Sequence, residues 1–166
     1  MSYFLTKRFD KKIKLYFMQS TIAAVLVSIF FLMMHIFQNG LVVTSLIASV
    51  FIVFIFPKSP AAQPKNLLGG HFISAAVGFL FYFANLWFQE PEPIFLYSIL
   101  FCGLAVFLST LLMALFGCEH PPGAAFAAGF VLSASFPGLM CILALTSVFI
   151  LFVSKKILMP YLDVDY

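Results

Sequence analysis

Hydrophobic residues run through this chain in long, nearly unbroken stretches, and the few polar interruptions set its element boundaries. Roughly 20 apolar residues are needed to cross about 30 Å of hydrocarbon. The uncharged run from Leu15 to Pro57 holds two such helices, divided by the polar turn Gln38-Asn39-Gly40. The spacing predicts helices near Thr21–Phe37 and Leu41–Phe56. The run Asn66–Gln89 holds one helix beginning near Gly69, and Pro93–Cys118 holds another. The run from His120 to Ser154 is broken at Phe136-Pro137-Gly138, which leaves a short segment, Pro121–Ala134, and a full span, Gly138–Val153. The pattern predicts an all-α, polytopic transmembrane bundle of about six spans with a short central fifth helix. Three plus three spans would also give an inverted repeat, with the shorter helix second in each half.

The chain divides accordingly. Residues 1–18 read as an amphipathic cytoplasmic segment, in which Phe4, Leu5, Phe9, Ile13, Tyr16 and Phe17 recur at helical spacing among lysines that meet headgroups. Residues 19–156 form the transmembrane domain and 157–166 a C-terminal tail. A cleavable signal peptide fits poorly, because no small-x-small site precedes the next span.

Composition agrees with this division. Hydrophobic residues make up 63%, charged residues 9%, and 23 positions are phenylalanine. Mean hydropathy is +1.10. Water-soluble domains carry about 25% charged residues, so a soluble enzyme, a coiled coil and a disordered chain are all excluded. The net charge of +3 resides mainly at the two ends of the chain, and the partner it implies is membrane lipid, not nucleic acid. If six helices cross, all 9 Lys and Arg fall on one side. The positive-inside rule makes that side cytoplasmic, with both termini on it, in a bacterial inner (plasma) membrane. Five crossings, with the Pro121 segment re-entering, would strand Lys155 and Lys156 outside. Cys102, Cys118 and Cys141 lie in apolar sequence without metal-ligand spacing, so they read as packing residues. No metal or cofactor is expected.

Two segments stand apart from the Phe/Leu/Ile background. Phe56–His71 carries Pro57, Pro60 and Pro64, then Gly69-Gly70-His71 just inside the third span. The second segment, Cys118–Gly129, opens with His120-Pro121-Pro122-Gly123-Ala124 and continues almost wholly in small residues. Small residues let helix backbones approach closely in lipid, which puts this helix in the middle of the bundle. Its start reads as an anion site. Proline is tolerated in the first helical turn, and free N–H groups of Gly123 and Ala124 would face the helix start with the dipole behind them. Structural readings exist beside this one. The prolines can serve only as a helix start, His120 as a cap, His71 as a hydrogen bond across helices, and Ser45, Ser49 and Ser74 as partners of backbone carbonyls. His35 reads as interfacial, and Glu90 and Glu92 as an outer loop.

At these two segments the chain resembles the HPP family of small integral membrane proteins. The family's His-Pro-Pro motif stands here as His120-Pro121-Pro122, followed by Gly123-Ala124. Its Ser-Pro-x-Ala-Gln-Pro-basic-Asn run stands as Ser59–Asn66, ending in Gly69-Gly70-His71. The resemblance covers roughly Leu41 to Val153, leaving out the amino-terminal segment. The family's Gly-Ala-Ser of the second span reads Ile47-Ala48-Ser49 here. Members are often described with four spans, against the six counted from charge.

The resemblance implies a permease or channel for a small monovalent anion, nitrite first. In that reading His120, Pro121, Pro122, Gly123, Ala124, His71, Gly70 and Ser49 bind the anion. Lys58, Lys65, Gln63 and Asn66 form the cytoplasmic mouth. The chain is then no enzyme, and its large apolar faces suggest a homo-oligomer. Two other classes compete. One is a membrane enzyme using Glu119-His120 as an acid–base pair, which lacks a second carboxylate or nucleophile. The other is a structural or partner-binding membrane subunit without transport activity.

Overall fold

A computed structural model describes residues 2–35, 40–88, 94–133, 137–158 and 160. Six α-helices follow one another among them: α1 (Ser2–His35), α2 (Gly40–Ile55), α3 (Pro64–Trp87), α4 (Ile94–Leu115), α5 (Pro122–Val131) and α6 (Pro137–Leu158). A short 3-10 turn, Pro60–Ala62, links α2 to α3. The all-helical membrane bundle is as the hydrophobic pattern predicts, and no strand occurs among the described residues. Among the described residues four helical stretches are long and apolar enough to cross a bilayer: Ile13–Phe30, Pro64–Trp87, Leu96–Leu115 and Gly138–Leu158. Leu41–Ile55 and Pro122–Val131 are apolar but shorter. A count of four sees the long helices alone; a count of six includes the short pair.

Local chemistry fixes the boundaries. No glycine or proline occurs between Ser2 and His35, so α1 runs on without a break. The described residues of the 1–18 segment are thus helical and continuous with the first span. α3 starts at Pro64, ahead of the expected Gly69, because Pro64 sits in the first turn after an extended Gln63 and loses no helical hydrogen bond there. α4 ends on Gly117, whose φ of +58° only glycine adopts readily. The Cys118 amide donates to the Met113 carbonyl at 2.9 Å and Gly117 to Ala114 at 3.1 Å, the paired bonds of a Schellman ending. The expected breaks at 38–39 and 136, the 89–93 loop and nearly all of the 157–166 tail lie outside the described residues.

Hydrogen bonds and close contacts tie alternate helix ends together. At one end, the Lys155 ammonium reaches the Pro57 carbonyl and Asn66 reaches the Glu119 carbonyl. At the other, Asn85 donates to the Val131 carbonyl and Gly129 lies against Leu41 and Val42. α5 thus runs from the basic end toward the opposite one and does not turn back. The outer surface is apolar: Trp87 is 85% exposed, Phe17 72% and Phe107 63%. In lipid such a surface costs nothing, and helix association rests on close packing.

Glycines provide that packing around α5, which contacts α2, α3 and α4. A methyl group on Gly78 would lie 2.7 Å from the Ala127 carbonyl oxygen, and one on Gly129 2.9 Å from Val42. The larger helix contacts are α1 with α2 and α6, α2 with α5 and α6, α3 with α4, α5 and α6, and α4 with α5. Exchanging α1 with α4, α2 with α5 and α3 with α6 leaves this set unchanged, the relation expected of two three-helix repeats.

Candidate functional site

The crossing of α2 and α5 carries the first link of a buried polar chain. The Ser45 hydroxyl donates to the Pro122 carbonyl at 2.6 Å. One turn on, Ser49 Oγ lies 2.9 Å from the Ser45 carbonyl, 2.9 Å from His120 Nε2 and 3.2 Å from His71 Nε2. Each imidazole is held from its other side: Nδ1 of His71 is 2.8 Å from the Leu67 carbonyl and Nδ1 of His120 is 2.8 Å from the Ala61 carbonyl. A carbonyl only accepts, so both Nδ1 atoms carry hydrogen, and in neutral rings both Nε2 atoms present lone pairs to Ser49. The ring centroids are 4.7 Å apart, and Phe126 stands edge-on to His71 at 4.9 Å. Ser49, His71 and His120 are all 0% exposed.

The elements that carry these groups are held by short contacts. A methyl group on Gly70 would come within 2.5 Å of His120 Cβ, so only glycine lets α3 reach the turn before α5. Gly123 does the same against Ser74 Oγ, at 2.6 Å, and the Gly70 carbonyl. The connection that carries Ala61 is tied down by Lys155, whose Nζ donates to the Pro57 carbonyl at 3.1 Å and to the Ala62 carbonyl. His120 lies in the turn outside the helices. Burial pulls its imidazole down to about 4, opposed by the bond to Ala61, so the ring is neutral at physiological pH.

The Gly123 and Ala124 amides at the start of α5 are not free, contrary to the expectation from the sequence. The Gly123 amide donates to the His120 carbonyl at 2.8 Å and the Ala124 amide to the Pro121 carbonyl at 3.1 Å. Pro121 adopts helical angles (φ −52°, ψ −38°), which coils the entry into a tight turn and satisfies both donors. Pro121 and Pro122 carry no N–H at all. Pro122 and Gly123 are buried, Pro121 is exposed, and Ala124 is intermediate.

Of the four residues expected at the mouth, Lys58, Gln63 and Lys65 are exposed at the basic end. Asn66 is buried, its Nδ2 donating at 3.0 Å to the Glu119 carbonyl. Gln63 instead shares a cavity of about 420 Å³ with Pro64, Phe152, Lys155 and Lys156. Glu119 is exposed whereas His120 is buried. The side chain of His35 lies outside those described.

Two features were not singled out from sequence. One is the anchoring role of Lys155; a lysine at the end of an apolar span signals only topology. The other is a cavity of about 280 Å³ at the far end, lined by Tyr82, Asn85, Ser98 and Ser133 among others. Asn85, an amide within the Phe-rich far half of α3, was the available signal. Among the described residues no three His, Cys, Asp or Glu side chains are grouped to hold a metal.

These observations define a polytopic α-helical membrane protein built around an enclosed Ser–His–His knot. The chain belongs to the HPP transmembrane family, whose model for the HPP transmembrane region matches residues 9–159. That match begins inside the amino-terminal segment, which the motif resemblance had left out. Two transmembrane proteins of Dictyostelium discoideum are similar to it. One is 41% identical over 88 residues, 53% of this chain and 29% of the relative. The other is 39% identical over 90 residues, 54% of this chain and 27% of the relative. The aligned part thus spans less than a third of each of these curated relatives. No solved structure matches the chain at a significant level. Membership in this family points to a role related to membrane transport.

Proposed function

We propose that the chain is a permease for a small monovalent anion, nitrite first, with Ser49, His71 and His120 at its binding point. The observation that carries this reading is the convergence of one hydroxyl and two imidazoles on a spot with no exposure, at the junction of both short helices. Polar groups at membrane depth are costly and mark substrate paths. The far-end cavity beside Asn85 and the exposed Lys58 and Lys65 at the basic end provide the two approaches. The knot is enclosed, which favours a carrier that opens to one side at a time over a standing pore. In this reading the chain performs no catalysis and sits in a plasma membrane with its basic end and both termini in the cytoplasm. The proposed homo-oligomer rests on the broad apolar exterior; native mass in mild detergent measures the subunit number.

Purified protein in proteoliposomes should take up tracer nitrite well above empty vesicles, with nitrate, formate and chloride compared in parallel. Uptake no faster than in empty vesicles for all four anions rejects the permease and favours a partner-binding subunit.

A further inference from the structure

We propose that Ser49, His71 and His120 form a site for a single proton, which is taken up together with the anion. The inference deepens the permease reading and rests on it for the coupling, though not for the proton site. Both Nδ1 hydrogens are committed outward, to Leu67 and Ala61. Inside the knot, Ser49 Oγ–H is then the only hydrogen facing three acceptors: two Nε2 lone pairs and the Ser45 carbonyl. Whichever nitrogen it serves, the other Nε2 is left without a donor, and a buried polar group without a partner is costly. One added proton resolves this. A proton on one Nε2 makes that ring an imidazolium whose N–H donates to Ser49 Oγ, while Ser49 donates to the other Nε2. The chain N–H⁺···O–H···N is then complete, with the Ser49 hydrogen turned from the Ser45 carbonyl to the second Nε2. A second proton would place two positive rings 4.7 Å apart, and like charges at that distance oppose each other's ionisation.

The surroundings explain why the proton should come with an anion. α2 and α5 contribute no titratable group. The turn before α5 contributes Cys118, buried beside Gly69, and the exposed Glu119. α3 contributes Lys65, close to Gly117, and α6 contributes Lys155, bound to the connection that carries Ala61. The exposed Lys58 and Lys156 lie at the same end. No carboxylate is buried against the rings among the described residues, so an imidazolium here has no resident counter-ion. An arriving anion supplies it, and the imidazolium supplies the anion with the positive charge that neutral rings lack. Each ligand then raises the affinity for the other.

The test uses proteoliposomes containing the purified protein and a pH-reporting dye. With an inside-alkaline gradient of one pH unit, one proton per nitrite gives about tenfold accumulation of tracer. The step is electroneutral, so accumulation is unchanged when a potassium ionophore sets the voltage. Initial rates are taken above empty vesicles, and the lumen should acidify with uptake; Ser49→Ala should abolish this dependence. Protein-mediated uptake that follows voltage and ignores the pH gradient overturns the coupling while leaving the permease intact. Absence of uptake removes the permease and the coupling together. The proton site is then decided alone, by nitrogen NMR of histidine-labelled protein, with His35 identified through a His35→Gln variant. Expected are two Nε2 atoms bare at neutral pH, with one proton per chain appearing on them as pH falls. Rings that carry hydrogen on Nε2 and lack it on Nδ1 at neutral pH overturn it, as do two protons bound independently.

Discussion

Gly70→Ala and Gly103→Ala are the same chemical change made in two helices, and the structure assigns them opposite outcomes. At Gly70 the new methyl carbon would lie 2.5 Å from His120 Cβ, 3.1 Å from the Cys118 carbonyl oxygen and 3.2 Å from Met113 Sδ. The nearest of these atoms belongs to the root of a side chain whose ring is held at both nitrogens. Relief therefore requires the turn before α5 to move away from α3. Overpacking of this kind costs about 1–3 kcal/mol, and for a chain of this length each kcal/mol moves Tm by about 2–4 °C. Gly70→Ala should accordingly lower Tm by roughly 2–12 °C. At Gly103, on the exposed face of α4, no atom lies within 4 Å, and alanine in a helix is favoured by about 0.5–1 kcal/mol. That variant should be as stable as the parent or slightly more so. Thermal unfolding in detergent can be followed with a thiol-reactive dye, since Cys118 is buried and Cys102 and Cys141 are partly so. If both variants melt together with the parent, the close approach of α3 to the His120 turn is not what holds this region.

Other substitutions probe other parts of the bundle. Gln19 is 0% exposed, and neither of its side-chain polar atoms has a partner among the described residues, so Gln19→Leu should raise Tm, by the equivalent of about 1–3 kcal/mol. Gly117→Ala forces a side chain into left-handed backbone at a cost of about 1–2 kcal/mol; a smaller loss for Gly117→Asn in the same melt would confirm the cause as backbone strain. Lys155→Met removes both bonds to the 57–62 connection and should lower Tm, whereas Lys155→Arg, which keeps the charge and donors, should recover part of the loss. Ser45→Ala deletes the 2.6 Å bond to the Pro122 carbonyl and should cost about 0.5–1.5 kcal/mol, read in the same way.

The number and order of helices were legible because polar breaks and charges are so sparse in this chain. Their ends were less so. α1 extends through the lysine-rich segment because nothing there stops a helix, and amphipathic spacing alone does not reveal that. The two histidine motifs do meet in space, where Ser49, His71, His120 and Gly70 come together. What the sequence concealed was which atoms face inward. Whether Gly123 and Ala124 keep free amides depends on the backbone angles of Pro121, and proline is compatible with both an open and a coiled entry. The presentation of two Nε2 lone pairs depends on carbonyls of Leu67 and Ala61, and backbone groups carry no signature in a sequence. Asn66 shows the same limit: its polarity suggested the mouth, yet its amide is used up bracing the Glu119 backbone.

The grip of Lys155 on the 57–62 connection gives the last helix a hand on the histidine. Its ammonium holds the carbonyls of Pro57 and Ala62, between which Ala61 lies, and the Ala61 oxygen fixes which nitrogen of His120 bears hydrogen. A lipid phosphate at the basic end that lured this ammonium outward would slacken that peptide and free the ring to swap its hydrogen to the other nitrogen. A leaflet lipid would in that way reach the protonation pattern of the buried rings through a single flexible side chain.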